Sequence, residues 1–264
     1  MWIDSHCHLD ASAFDRDRDE VVAEARAGGV EGIVNLPGHV AHFAAAQASR
    51  QRYGCFTGFG IHPMWVAGPA GRSTRDDLAV LRSWIERERP DLIGEIGLDF
   101  FVEDTDVLEQ EWFFAEQLKL AREFDLPVSL HVRRSQDRIL WHLRRIRVRG
   151  GFAHAFNGSL QQAEAFIDLG FCLGFGGTAT FPRAHRIRAL LRQIPLENIV
   201  VETDAPDMPP SFLGGMGAKI RNSPAFLPRI GAMLAEVRGV SSATLASATR
   251  DNVRRILCPP SREG

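Results

Sequence analysis

The chain is short of lysine, short of cysteine and nearly free of net charge, and each shortage excludes something. Lys119 and Lys219 are its lysines, so the basic side is almost all arginine. The four cysteines, Cys7, Cys55, Cys172 and Cys258, form no C-x-x-C pair and lie far apart. That pattern predicts reduced thiols in a cytoplasmic protein rather than a disulfide framework. A net charge of -2 argues against a globally basic nucleic-acid binder. Any polyanion site must be local or metal-mediated. No apolar run approaches the roughly 18 residues of a membrane span. The N-terminus reads directly as a strand, so no signal peptide is expected. No G-x-G-x-x-G follows that strand, which weakens an open dinucleotide-binding sheet. No repeat, low-complexity tract or linker divides the chain. What remains is a globular composition, 45% apolar and 24% charged. One domain spanning 1–264, monomeric, is expected.

Short apolar runs alternate with longer amphipathic ones. The strand candidates are Trp2–Leu9, Gly32–Leu36, Cys55–Ile61, Leu92–Ile96, Val128–Val132, Phe152–Phe156, Phe171–Phe175 and Ile199–Thr203. Helical runs lie between them at Arg18–Ala27, Ala41–Arg52, Arg75–Glu88, Asp106–Phe124, Ser135–Arg147, Leu160–Leu169 and Arg183–Gln193, and two more follow at Phe226–Val237 and Ser242–Leu257. Strands alternating with helices build a parallel sheet. Eight such units predict an α/β fold closed as a (β/α)8 TIM barrel, with an open doubly wound sheet as runner-up.

A barrel of this kind carries its chemistry at the C-terminal ends of the strands. The first run ends in His6 and His8, which share a face because side chains alternate with a period of two. Cys7, between them, points to the surrounding helices and is read as structural. Later runs end in Glu95, His131 and Asp204, and the sixth carries His154. Acidic residues are seldom fully buried unless paired or bound to metal. Six donors are too many for one tetrahedral ion and suit two divalent ions bridged by a carboxylate, for which Glu95 is the natural choice. Asp204 has an oxygen to spare for taking a proton from the attacking water. Glu202 faces the same way one layer deeper, which predicts a supporting role. His62, before Pro63, suits either a substrate contact or a cap on the turn there, and its strand-end position favours the substrate contact. Arg133, two residues beyond His131, faces the mouth and suits bidentate phosphate binding. The basic run from Arg144 onward reads as a solvated helix face. His39, His42, His142 and His185 fall on helix-like runs and are expected at the surface.

The segments Asp4–Leu9, Gly60–Pro63, Gly94–Asp99, Pro127–Arg133, His154–Ser159, Glu202–Pro206 and Arg221–Pro224 resemble, in order and over nearly the whole chain, the TatD family of metal-dependent deoxyribonucleases. The resemblance implies a TIM-barrel hydrolase that cleaves DNA phosphodiesters with divalent metals, several members acting as 3′–5′ exonucleases. Carried over, it implies that His6, His8 and Asp204 hold one ion with Glu95, and that Glu95, His131 and His154 hold the other. Two departures bear on substrate. Phe100 stands where members often have Tyr, and Asp207-Met208 where many have Tyr-Leu, followed by an insert-like loop over Ser211–Gly217.

The leading expectation is therefore a 3′–5′ exodeoxyribonuclease acting on single-stranded DNA ends. Phe100 or Phe212 would stack on a terminal base. The alternatives are an amidohydrolase-like enzyme on a small ester or amide, and an aminoacyl-tRNA deacylase. Many binuclear amidohydrolases bridge their metals with a carboxylated barrel lysine. Lys119 and Lys219 both fall outside the strand runs, which favours the first reading. Four histidines favour Zn²⁺ or Mn²⁺ by softness, whereas phosphate chemistry commonly uses Mg²⁺.

Overall fold

The computed structural model describes residues 1–67, 73–103, 105–214 and 220–258. Lys219 and the 215–217 part of the loop noted above lie outside the described residues. Eight strands pair in parallel in chain order: β1 (Trp2–Cys7), β2 (Val30–Asn35), β3 (Phe56–Phe59), β4 (Leu92–Asp99), β5 (Val128–Arg133), β6 (Gly151–Ala153), β7 (Phe171–Phe175) and β8 (Ile199–Val201). Where β8 returns to β1 the chain continues the closure beyond the last strand residue. Asp204 N–H donates to His6 O at 2.9 Å, and His8 N–H to Ala205 O at 2.8 Å. The sheet is thus a barrel, as eight βα units require.

The helices are α1 (Arg18–Ala27), α2 (Phe43–Tyr53), α3 (Pro63–Ala67), α4 (Asp77–Glu88), α5 (Val107–Glu123), α6 (Gln136–Arg145), α7 (Leu160–Asp168), α8 (His185–Gln193), α9 (Leu227–Arg238) and α10 (Ser242–Leu257). Strands in such a barrel are covered by helices outside and by one another inside, so they are buried on both faces. All eight residues of β4 are buried. The helices bury one apolar stripe each; α5 turns Phe113, Phe114, Leu118 and Ala121 inward. Ends are marked by local chemistry. Ser159 opens α7 with a reciprocal capping box to Gln162, and Asp106 and Ser241 accept from backbone N–H groups three residues on. Asn252 of α10 donates to Leu196 O and Ile199 O at 2.9 and 2.8 Å, clamping the last helix under β8. Among the described residues, no helix is long and apolar enough to cross a membrane.

All eight expected strands are present, with shifted ends. β1 stops at Cys7 with His6 inside it and His8 beyond, β6 at Ala153 before His154, and β8 at Val201 before Glu202, whereas β4 runs on to Asp99. The chain leaves the ladder where its side chains turn into the mouth. The short helix α3 was not anticipated. Pro63 at its first position supplies the pre-set φ that starts it. Of the four histidines expected at the surface, His185 is exposed. His142 is a correction. It is buried on the inner stripe of α6 with Ile139 and Leu143, its ring 5.5 Å from that of Phe114. The basic composition of α6 masks its apolar period. His39 and His42 are half-buried around Trp65.

Candidate metal centre

The donors reach the mouth from five strand ends, His6 and His8 from β1, Glu95 from β4, His131 from β5, His154 from just past β6 and Asp204 from just past β8. Glu95 is 1% exposed and spans the cluster with its two oxygens. Its Oε2 lies 3.1 Å from His6 Nε2 and 3.6 Å from His8 Nε2. Its Oε1 lies 3.0 Å from His131 Nδ1 and 3.6 Å from His62 Nε2. Asp204 Oδ1 faces a trio of Nε2 atoms, 3.2 Å from His8 and 3.6 Å from both His6 and His154. Among the described residues three sets have ligand atoms mutually within 4.8 Å: His6, His8 and Asp204; His6, Glu95 and His154; and His62, Glu95 and His131.

What surrounds the rings decides which nitrogen each can offer. His8 Nδ1–H donates to Leu36 O at 2.6 Å, which leaves the Nε2 lone pair facing the cluster. His154 Nδ1 lies 2.9 Å from Glu202 Oε1, and that oxygen is held by Ala155 N–H at 2.7 Å. His6 Nδ1 sits 3.3 Å from Ser129 Oγ. His131 uses the opposite edge, with Nε2 3.0 Å from Asp99 Oδ2 and Nδ1 turned to Glu95. A carbonyl or carboxylate behind the imidazole is the support that metal-ligating histidines use. His62 differs. Its Nδ1 accepts from Met64 N–H at 3.1 Å, so the neutral ring carries its proton on Nε2 and points a donor into the site.

The charges agree with this chemistry. Burial opposes a charged His8, yet Asp204 and Glu95 push its pKa up to about 10. His154 is likewise pushed up to about 10 against its burial, by Glu202 and Asp204. Burial would raise the Glu95 carboxyl, but His6, His62 and His131 outweigh it and hold it well below the usual range. Asp204 is lowered in the same manner, with His154 and His8 overcoming burial. The buried carboxylates thus impose a potential that asks for positive charge, and the lone pairs around them suit a divalent cation. The residues present fit such ions.

The six expected donors come together. His154 is placed differently from what the resemblance implied. Its ring stacks on His6 at 3.7 Å, and none of the three sets joins it to His131. Its tie to Glu202, just past β8, draws it toward β1. His62 stands beside His131 instead, their Nε2 and Nδ1 atoms 3.0 Å apart. Arg133 sits at the rim with Nη1 3.7 Å from Asp99 Oδ2. Both aromatics expected to stack on a base are half-buried. Phe100 packs against the core, and Phe212 packs on Phe226 under Arg229. Phe101 is the exposed one, at 44%. Asp99 was overlooked although it lies two strand repeats past Glu95, on the same face. Asp4 was overlooked as well. It accepts from Thr203 N–H and Oγ1 at 2.9 and 2.6 Å, locking β1 to the β8 end, and burial raises its carboxyl to about 7. A Cβ on Gly174 would run into the Glu202 carboxylate, so only glycine leaves room for that support.

The comparisons with known proteins agree. Residues 3–258 match the family model described as TatD related DNase. The uncharacterized metal-dependent hydrolase YjjV of Escherichia coli is 37% identical over 263 residues, covering 98% of each chain. Its crystal structure superposes with a TM-score of 0.90. The 3′-5′ ssDNA/RNA exonuclease TatD of Klebsiella pneumoniae is 37% identical over 254 residues, covering 94% of this chain and 95% of its own. A TatD-family hydrolase from Entamoeba histolytica, 19% identical with a TM-score of 0.83 over 98% of both chains, shares the fold. With full-length likeness on every side and the donors gathered at the barrel mouth, the chain belongs to the TatD-related DNase family and is a metal-dependent hydrolase.

Proposed function

We propose that the chain is a 3′–5′ exodeoxyribonuclease that cleaves phosphodiester bonds at single-stranded DNA ends with two divalent ions, Mg²⁺, Mn²⁺ or Zn²⁺. The observation that carries the two-ion reading is Glu95, whose separate oxygens face separate histidine sets. His6, His8 and Asp204 would hold one ion against Glu95 Oε2, with His154 Nε2 alongside. Glu95 Oε1 and His131 Nδ1 would hold the other. When bound, such a pair supplies Lewis-acid activation of a phosphoryl group and of water.

The chain's own residues do the rest. Asp204 accepts the proton of the attacking water on its carboxylate. His62 donates from Nε2 to a non-bridging phosphate oxygen, and burial, which lowers its pKa, keeps the ring neutral. Arg133 holds the phosphate from the rim through its paired N–H groups. The donors sit at strand ends inside a concave mouth, which a frayed or single-stranded terminus reaches more easily than a duplex interior. The name of the Klebsiella relative supports the same substrate class.

The test incubates purified protein and each metal with end-labelled single-stranded DNA, the same DNA with a blocked 3′ end, a charged tRNA and a panel of small esters. Stepwise shortening abolished by the 3′ block is expected. Metal-dependent hydrolysis of a small ester or of the tRNA ester, with DNA untouched, overturns the proposal.

A further inference from the structure

Beside the donor cluster, on the β4 to β7 side of the mouth, lies a cavity of about 620 Å³. Phe101, Arg133, Arg134, Gln136, Asn157 and Arg186 line it. The chain goes out of its way to make this wall basic. Successive strand residues point to opposite faces, so Arg133 and Arg134 should diverge. Arg134 instead takes φ 56°, a left-handed conformation uncommon for a side chain of this kind. Both guanidiniums then lie over the Phe101 ring, 3.8 and 4.6 Å from its centroid. Strained backbone of this sort gathers at ligand clamps. Arg186, on the first turn of α8, adds a third guanidinium from across the cavity.

The charge of this wall is left unspent. Some arginines elsewhere are neutralised, Arg52 by Asp19, Arg75 by Glu109, Arg82 by Glu123 and Arg138 by Glu111, and others among the described residues, such as Arg122 and Arg144, stand singly on helix faces away from the mouth. Among the described residues, Arg134 and Arg186 pair with no carboxylate, and no acidic side chain lines the cavity. Arg133 leans on Asp99 at 3.7 Å, and Asp99 lies 3.0 Å from His131 Nε2. The cavity and the donor cluster therefore share a wall. A guanidinium stacked on an aromatic face keeps its N–H edge free, the geometry that binds phosphate bidentately. The overall charge of -2 conceals this local concentration.

We propose that this cavity is a second-phosphate subsite, in which Arg134 and Arg186 bind the phosphate neighbouring the scissile one while Arg133, on the shared wall, stays with the scissile phosphate. It rests on the phosphodiesterase reading above. The preferred substrate is then a strand end that carries at least two phosphates, and a lone diester is a poor one.

The test uses Arg134→Asn, chosen because Asn tolerates the left-handed backbone, Arg186→Gln, and the double variant, each checked by thermal melting. Substrates are bis(p-nitrophenyl) phosphate, the dinucleotide dTpdT, and dTpdT carrying an added 5′ or an added 3′ phosphate. In the parent, one of the two added phosphates is expected to raise kcat/KM about tenfold, the worth of a charge-assisted hydrogen bond. The double variant should lose that gain and keep its rate on the single diester within about twofold. Should the double variant melt early, Arg186→Gln, on an exposed helix turn, carries the comparison. No gain from either phosphate, a gain that survives in the variants, or an equal loss on every substrate overturns the subsite. A calorimetric titration of metal-free protein with thymidine 3′,5′-bisphosphate separates the two proposals. Binding weakened about tenfold in the double variant supports the subsite even where the parent cleaves no DNA. Unchanged binding, with DNA cleaved by parent and variant alike, removes the subsite and leaves the nuclease reading standing.

Discussion

Glu202→Gln is the sharpest probe of how the site is held. One carboxylate oxygen does two jobs. Oε1 accepts from Ala155 N–H at 2.7 Å and lies 2.9 Å from His154 Nδ1, while Oε2 lies 3.4 Å from Ser5 Oγ. A glutamine with its carbonyl at the Oε1 position keeps both contacts and turns its amide toward Ser5. The change removes a charge and almost no geometry. Hydrogen bonds to ionised groups contribute about 1.5–3 kcal/mol and are roughly twice as strong as neutral ones, so the loss is about 1–1.5 kcal/mol. That corresponds to metal affinity roughly tenfold weaker. Glu202→Ala removes the contact itself, frees the His154 ring to rotate and orphans Ala155 N–H. Its cost belongs at the upper end of the range for groups that orient metal ligands, about 10²-fold. The assay is calorimetric titration of metal-free protein with Mn²⁺, with melting in chelator recorded in parallel. Unchanged melting with the graded loss of affinity is expected. Parental affinity in both variants would show that Glu202 does not orient His154. Equal losses in both would show that the charge, not the contact, is what matters.

Other outcomes follow from the same geometry. Asp204→Asn should keep the fold and much of the substrate affinity but lose hydrolysis by about 10²-fold or more, measured as kcat; near-parental turnover removes Asp204 as the proton acceptor. Metal-reconstituted parent should carry two equivalents by elemental analysis and His131→Ala about one, and a single equivalent in both refutes the binuclear reading. Cys7 is fully buried with Sγ 3.5 Å from Ala205 O, so Cys7→Ala should lower the melting temperature by the equivalent of about 1 kcal/mol while metal affinity stays parental. Cys7, Cys55 and Cys172 are buried and Cys258 is exposed. Burial pushes the Cys55 thiol up to about 12 and raises Cys7 and Cys172 as well. A thiol reagent at pH 8 should therefore label the native protein at Cys258 and reach all four cysteines only after denaturation.

The alternation of apolar strand runs with amphipathic helices is a local property, and it sufficed for the barrel. The strand-end positions of His6, His8, Glu95, His131, His154 and Asp204 are local too, because a parallel barrel brings all such ends to one rim whatever the loops do. The residue types at those ends determined the donor set. Tertiary structure decided what each donor faces. His154 lies with His6 because Glu202 pulls it there, and His62 presents a proton because Met64 N–H occupies its other nitrogen. The exposed aromatic is Phe101 and not Phe100, and Arg134 joins Arg133 on its ring. The common cause is how the chain turns once it leaves the ladder. Arg134, Ala155 and Asp204, at or just past the ends of β5, β6 and β8, have φ of 56°, 45° and 58°. A glycine at such a position would have announced the turn. These residues adopt it only because the surrounding packing holds them there, and no pattern along the chain records that.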